Sequence, residues 1–82
     1  MTSQDAWPDD PHERLARLVH DLRTPLTIVQ GFAELLDRGG DKLDDARRTE
    51  YLGRISQAGR EMRDILDAER EDRLAGDGRN GN

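Results

Sequence analysis

The amino-acid sequence predicts an all-α protein, an antiparallel two-helix hairpin that dimerises into a four-helix bundle. Apolar residues recur at steps of three and four through two long segments, which is the spacing of one helix face. The glycine pair Gly39 and Gly40 separates the two segments. No stretch shows the alternation of β-branched and polar residues that is typical of a half-buried strand.

Composition limits the chain to one small domain. Its 82 residues are 33% hydrophobic, which is too little for the core of a large enzyme. Thirteen Lys and Arg against 18 Asp and Glu give a net charge of −5, so neither nucleic acid nor a membrane surface is an expected partner. The chain has no cysteine, which excludes disulfides and thiolate metal sites. The acidic start lacks a signal peptide, and we expect a cytoplasmic location.

Helix 1 is predicted over about residues 11–38. Asp10 can cap it, Pro11 suits the first helical position, and Glu13 lies where a capping box has its acid. We expect Gly39 to end the helix in the left-handed conformation.

Helix 2 is predicted over about residues 44–74. Asp41, Asp44 and Thr49 are alternative caps, and Gly76 is expected to stop the helix.

The domain organisation that follows is a flexible segment over 1–11, a helical hairpin over 12–75 and a flexible tail over 76–82. The two ends are rich in small polar residues, glycine and proline, which cannot offset the entropy of ordering. Trp7 lies in the first of these segments, and the sequence gives it no role.

The apolar stripes of the two helices are too wide for two helices to cover. Burial of one Leu, Ile or Phe side chain contributes roughly 1.5 to 3 kcal/mol, so a free hairpin has a strong drive to pair. A symmetric homodimer is the simplest solution. The stripes consist of Leu15, Leu18, Leu22, Pro25, Val29, Phe32 and Leu36 in helix 1 and of Leu52, Ile55, Met62 and Leu66 in helix 2.

His20 is the residue whose position is hardest to explain by packing. At 100° per residue it points about 170° away from the middle of the helix 1 stripe, towards water. Thr24 lies one turn further along the same face, and Asp21 lies on the flank. Pro25 costs about 3 kcal/mol inside a helix, and such a local conflict is expected at a functional site. The alternative is an ordinary surface histidine.

The string His20–Thr27, with sequence HDLRTPLT, resembles the H-box of the dimerisation and histidine phosphotransfer domain (DHp, or HisKA) of bacterial sensor histidine kinases. The segment from Tyr51 to Leu66 is similar to the second helix of that domain. The resemblance covers roughly residues 12–74. Because the string combines six residue types at set offsets, it is far more specific than a lone histidine.

The resemblance implies a role for each matching residue. His20 would be the phosphoacceptor, which takes the γ-phosphoryl group of ATP and passes it to an aspartate of a response regulator. Asp21 would act as the base or orienting acid for the imidazole. Thr24 would position water in a phosphatase reaction, and Pro25 would kink the helix.

Simpler roles stay open for two of these residues. Asp21 can pair with Arg17 or Arg23, and the hydroxyl of Thr24 can bond back to the carbonyl of residue 20.

The resemblance also implies partners. A complete kinase carries a C-terminal ATP-binding domain, and nothing of that kind follows Leu74. We therefore expect no cofactor on this chain, ATP and Mg on a separate domain, and no kinase activity of the chain alone. The expected partners are a second copy of the chain, that ATP-binding domain and the receiver domain of a response regulator. A metal site is not expected, because His12 and His20 have no third ligand at a suitable spacing.

Two other functions remain open at this point. The chain can be a stand-alone histidine phosphotransferase that shuttles phosphoryl groups between response regulators. It can also be a non-catalytic hairpin that regulates a kinase by dimerisation, with His20 idle.

Overall fold

The computed structural model describes residues 7–80, with side chains for residues 7–76, and contains two long helices. Helix α1 spans Pro11–Gly39, a 3₁₀ turn covers Gly40–Lys42, and α2 spans Asp45–Asn80. No strand occurs in the part of the chain that the structure describes. The predicted all-α hairpin is confirmed. Residues 1–6 and 81–82, where flexible ends are predicted, lie outside the described residues.

Helix α1 begins as the sequence predicts. The carboxylate of Asp10 accepts a hydrogen bond from the backbone N–H of Glu13 at 3.0 Å. Pro11 occupies the first turn, where its missing N–H leaves no intrahelical bond unmade. Both features fix where the chain enters the helix.

The end of α1 differs from the prediction in one respect. Gly39 has φ −69° and is still right-handed, so the left-handed conformation predicted for it is wrong. The positive φ, 49°, belongs to Gly40, whose N–H donates to the carbonyl of Leu36. Gly39 is required for space instead, because a Cβ there would overlap the side chain of Leu43.

Helix α2 is capped by Asp44, one of the three candidates. Its carboxylate accepts a hydrogen bond from the backbone N–H of Arg47 at 2.7 Å. The helix passes Leu74 and Gly76 and ends at Asn80, so the predicted end near Leu74 is too early. A single glycine costs a helix about 1 kcal/mol but keeps its backbone N–H, which explains why the hydrogen-bond ladder continues.

The two helices share a thin core. Among the described residues, Ala58 at 2% exposure is the one buried hydrophobic side chain of α2, and Pro25 is the buried residue of α1. Near the turn, the rings of Phe32 and Tyr51 meet with centroids 5.3 Å apart. We call this the loop end of the hairpin, and the region of Arg14 and Glu69 the open end.

A second set of apolar side chains is left exposed. Their exposed fractions lie between 44% and 59%. A single hairpin therefore leaves part of its apolar surface uncovered, as the sequence predicts. Of the exposed side chains, Leu15, Leu52 and Leu66 belong to the predicted stripes. The set consists of Leu15, Val19, Leu26 and Leu35 in α1 and of Leu52, Leu66 and Leu74 in α2.

Neither helix contains an apolar stretch of the length that crossing a bilayer requires, as far as the described residues go.

Candidate functional site

His20 lies on the exposed surface of α1, away from the face that packs on α2. A shallow depression around it is formed entirely by α1 side chains, among them His12, Val19 and Arg23. Because no part of α2 covers the imidazole, a bulky partner can approach it from solvent. The exposed position agrees with the register read from the sequence.

Asp21 follows His20 and is turned towards the flank of the helix. Its Oδ2 atom lies 3.4 Å from Nε of Arg17, one turn earlier. The side chain of Asp21 is 31% exposed and that of Arg17 is 28% exposed. Of the two arginines that the sequence offered as partners, the structure pairs Asp21 with Arg17. Such a half-exposed ion pair stabilises a helix by roughly 0.2 to 1 kcal/mol, so it can be broken at little cost.

Thr24 is exposed one turn after His20. Among the described residues its hydroxyl has no hydrogen-bond partner, so the back-bond to the carbonyl of residue 20 is not made. Thr27 behaves differently, because its Oγ1 donates to the carbonyl of Arg23 at 2.9 Å. The Thr24 hydroxyl is therefore the one of the two that is available to water or to a partner.

Pro25 is buried in the middle of α1, on the face that packs against α2. The helix is continuous through it. Since proline has no N–H, the carbonyl of Asp21 has no helical donor at this point. Pro25 thus combines a packing contact with a weakened backbone next to His20, and the predicted kink stays a prediction.

At the open end, the guanidinium of Arg14 forms a cluster that the sequence pattern does not predict. It bonds to Oε2 of Glu69 at 2.8 Å, to Oδ2 of Asp72 at 2.7 Å and to the carbonyl of Pro8 at 2.8 Å. The side chains of Arg14 and Glu69 are only 14% and 13% exposed. The sequence contains part of the signal, since Arg14 lies one turn before Leu18 on the inward face and the acids lie near the end of α2, but it does not give the alignment of the two helices.

These hydrogen bonds shift the pKa values of both Arg14 and Glu69 in favour of their charged forms. The bond from Arg14 holds the pKa of the Glu69 carboxyl below its ordinary value, against the opposing effect of burial, and Arg73 adds to the lowering. The bonds to Glu69 and Asp72 raise the pKa of the Arg14 guanidinium. Arg14 and Glu69 therefore both stay ionised at neutral pH.

Trp7 has a position that its sequence context does not suggest. Its ring lies 4.4 Å from the guanidinium carbon of Arg17 and 5.5 Å from that of Arg14. Both distances are within the range of cation–π interaction. Trp7 consequently connects the segment before α1 to the two arginines.

No group of three His, Asp or Glu side chains in the described part of the chain is placed to hold a metal ion. The chemistry of the site is that of a solvent-accessible imidazole with a carboxylate and a free hydroxyl nearby.

Comparison with known proteins gives a match to a family model. A family model described as the His Kinase A (phospho-acceptor) domain matches residues 12–71, which is more than half of the chain and includes His20, Asp21, Thr24 and Pro25. No curated protein and no solved structure matches the chain significantly.

Proposed function

The chain belongs to the His Kinase A (phospho-acceptor) domain family, and on that premise we propose that His20 is its phosphoacceptor in two-component signal transduction. One observation carries the proposal. His20 stands exposed on α1, directly before Asp21 and one turn before the free hydroxyl of Thr24. An imidazole in this position can meet both a phosphoryl donor and a phosphoryl acceptor.

The forward reaction uses the neutral imidazole of His20. Its unprotonated nitrogen attacks the γ-phosphorus of ATP, an N–P bond forms, the P–O bond to the β-phosphate breaks, and ADP leaves. The carboxylate of Asp21 accepts a hydrogen bond from the other ring nitrogen and stabilises the positive charge that develops on the ring. ATP and its Mg²⁺ are held by a separate ATP-binding domain, in the cytoplasm where ATP is available.

The second transfer regenerates the histidine. A carboxylate oxygen of an aspartate in a receiver domain attacks the phosphorus, and the N–P bond breaks. In the reverse, phosphatase role, the Thr24 hydroxyl orients a water molecule for attack on the phosphorylated aspartate. The support for this role is that the hydroxyl is exposed and unpaired on the face of His20.

Dimerisation completes the module. We propose that two hairpins pack through the exposed apolar side chains to form a four-helix bundle. On α1, Leu15, Val19 and Leu26 recur at helical steps and are 59%, 49% and 46% exposed. Leu52 and Leu66 continue the surface on α2 with 51% and 48% exposure. Covering side chains of this size is a sufficient reason to dimerise.

The test compares His20→Gln with His12→Gln, since both histidines are exposed on α1. Each variant is incubated with labelled ATP and a separately purified ATP-binding domain of a kinase of this family, and also with a phosphorylated receiver domain. We expect the wild type and His12→Gln to become labelled at similar rates and His20→Gln to stay unlabelled.

The proposal would be contradicted if His20→Gln became labelled. It would also be contradicted if the wild type took no label from either ATP with the ATP-binding domain or the phosphorylated receiver domain. Label from the receiver domain alone, without transfer from ATP, would indicate the stand-alone shuttle instead.

A further inference from the structure

Three side chains make a continuous line of contacts from the segment before α1 to the candidate site. The ring of Trp7 lies 4.4 Å from the guanidinium carbon of Arg17. Nε of Arg17 lies 3.4 Å from Oδ2 of Asp21. Asp21 is the residue next to His20. A change at Trp7 can therefore reach Asp21, the chain neighbour of His20, through two contacts.

Helix geometry places Arg17 next to both members of the candidate pair. It precedes His20 by three residues and Asp21 by four, and residues at these spacings are neighbours on a helix surface. An aspartate has a short side chain, so one rotamer decides which neighbour its carboxylate meets. Arg17 and the imidazole of His20 are thus competitors for the same carboxylate.

We propose that Arg17 is a positioning residue that holds the Asp21 carboxylate away from His20, and that Trp7 strengthens this hold by fixing the guanidinium. The inference rests on the proposed roles of His20 and Asp21. When Trp7 leaves or Arg17 is lost, Asp21 turns to the imidazole and accepts a hydrogen bond from Nδ1–H. Nε2 is then the unprotonated nitrogen and is free to attack phosphorus.

The ion pair between Arg17 and Asp21 is exposed enough to be broken and formed again. The side chains of Arg17 and Asp21 are 28% and 31% exposed, so water can replace either partner. Arg14, which also lies under the Trp7 ring, is bound by Glu69 and Asp72 of α2, and these two ion pairs do not involve the ring. Release of Trp7 therefore acts on Arg17 rather than on the packing of the open end.

The experiment measures the tautomer of the His20 imidazole by ¹⁵N NMR on the full chain, at a pH at which the chemical shifts of the ring nitrogens show the neutral form. The variants are Arg17→Gln and Trp7→Ala, with Arg38→Gln as the matched control. Arg38 also pairs with the acid one turn away in α1, Glu34 at 3.5 Å, but lies far from His20 along the chain.

We expect the ratio of the Nδ1–H to the Nε2–H tautomer to rise about two- to fivefold in Arg17→Gln, as for the loss of an ion pair of ordinary strength. The rise in Trp7→Ala should be smaller, and Arg38→Gln should match the wild type. In an Asp21→Asn background, Arg17→Gln should cause no further change, because the competing carboxylate is gone.

An unchanged ratio in Arg17→Gln, or an equal rise in the Asp21→Asn background, would overturn the inference. Far-UV circular dichroism checks that the helices remain. If Arg17→Gln loses helix, the tautomer ratio in Trp7→Ala is the deciding measurement, because Trp7 lies outside α1. An unchanged tautomer ratio in Trp7→Ala would then overturn the inference. None of these readouts requires phosphoryl transfer, so failure of the proposed function is seen separately, as absence of label on His20.

Discussion

At the loop end of the hairpin the rings of Phe32 and Tyr51 meet at 5.3 Å, whereas at the open end a guanidinium is bound by two carboxylates. Both contacts join α1 to α2 and both are half-buried or more. They differ in what can disturb them. Ring packing is insensitive to pH and salt, but the Arg14 cluster depends on ionisation and on ionic strength. The open end, which is also the end nearer His20, is the adjustable part of the fold.

The largest expected loss of stability comes from a substitution at the loop end. Phe32→Ala removes a ring that packs on Tyr51. Because Phe32 is only half-buried, we expect the free energy of unfolding to fall by about 1 to 3 kcal/mol, below the range for a fully buried phenylalanine. Thermal unfolding at fixed protein concentration measures the loss. Phe32→Leu keeps most of the apolar volume and should lose less, and equal losses in the two variants would contradict packing as the cause.

A substitution at the open end should lower the free energy of unfolding by less than Phe32→Ala does, and this loss should depend on salt. Arg14→Gln leaves the carboxylate of Glu69, which is 13% exposed, without its main donor. We expect a loss of about 1 to 2 kcal/mol that decreases at high salt, measured by denaturant unfolding at two ionic strengths. Arg38→Gln, whose pair with Glu34 is 76% and 71% exposed, should be near neutral. A loss in Arg14→Gln that salt leaves unchanged would contradict the electrostatic origin.

The smallest effect is a dependence on pH. Arg14 holds the pKa of Glu69 below its ordinary value of 4.5, so the folded chain binds fewer protons at this site than the unfolded chain. The stability from Glu69 is therefore fully present above pH 4.5 and is lost as the pH falls through the lower, folded pKa. Unfolding curves between about pH 6 and pH 3 should show a shallower loss in Glu69→Gln than in the wild type. If stability fell equally with pH in Glu69→Gln and in the wild type, the lowered pKa of Glu69 would be contradicted.

Most of the fold follows from local signals in the sequence. Asp10 and Pro11 mark the start of α1 by known capping chemistry, and the apolar spacing gives both helices. The end of α2 does not follow from the sequence, because Gly76 is a weak breaker inside a helix. Gly39 and Gly40 could not be told apart, since the choice depends on the close approach of Leu43.

The site is predicted less completely for a physical reason. His20 and its exposure follow from the helix register alone. The pairing of Asp21 with Arg17 rather than Arg23 depends on side-chain rotamers, which the sequence does not determine. The Arg14–Glu69 contact joins residues 55 positions apart and depends on how the two helices align. The contact of Trp7 with α1 depends on the three-dimensional position of Arg17, which the sequence does not give.

The central claim is that the imidazole of His20 carries the phosphoryl group. The most direct measurement is ¹⁵N–³¹P coupling in the chain labelled at histidine, after incubation with ATP and the ATP-binding domain. The account predicts a coupled nitrogen in the ring of His20 and none in that of His12. A phosphorus signal with no coupling to a nitrogen of His20 would contradict it.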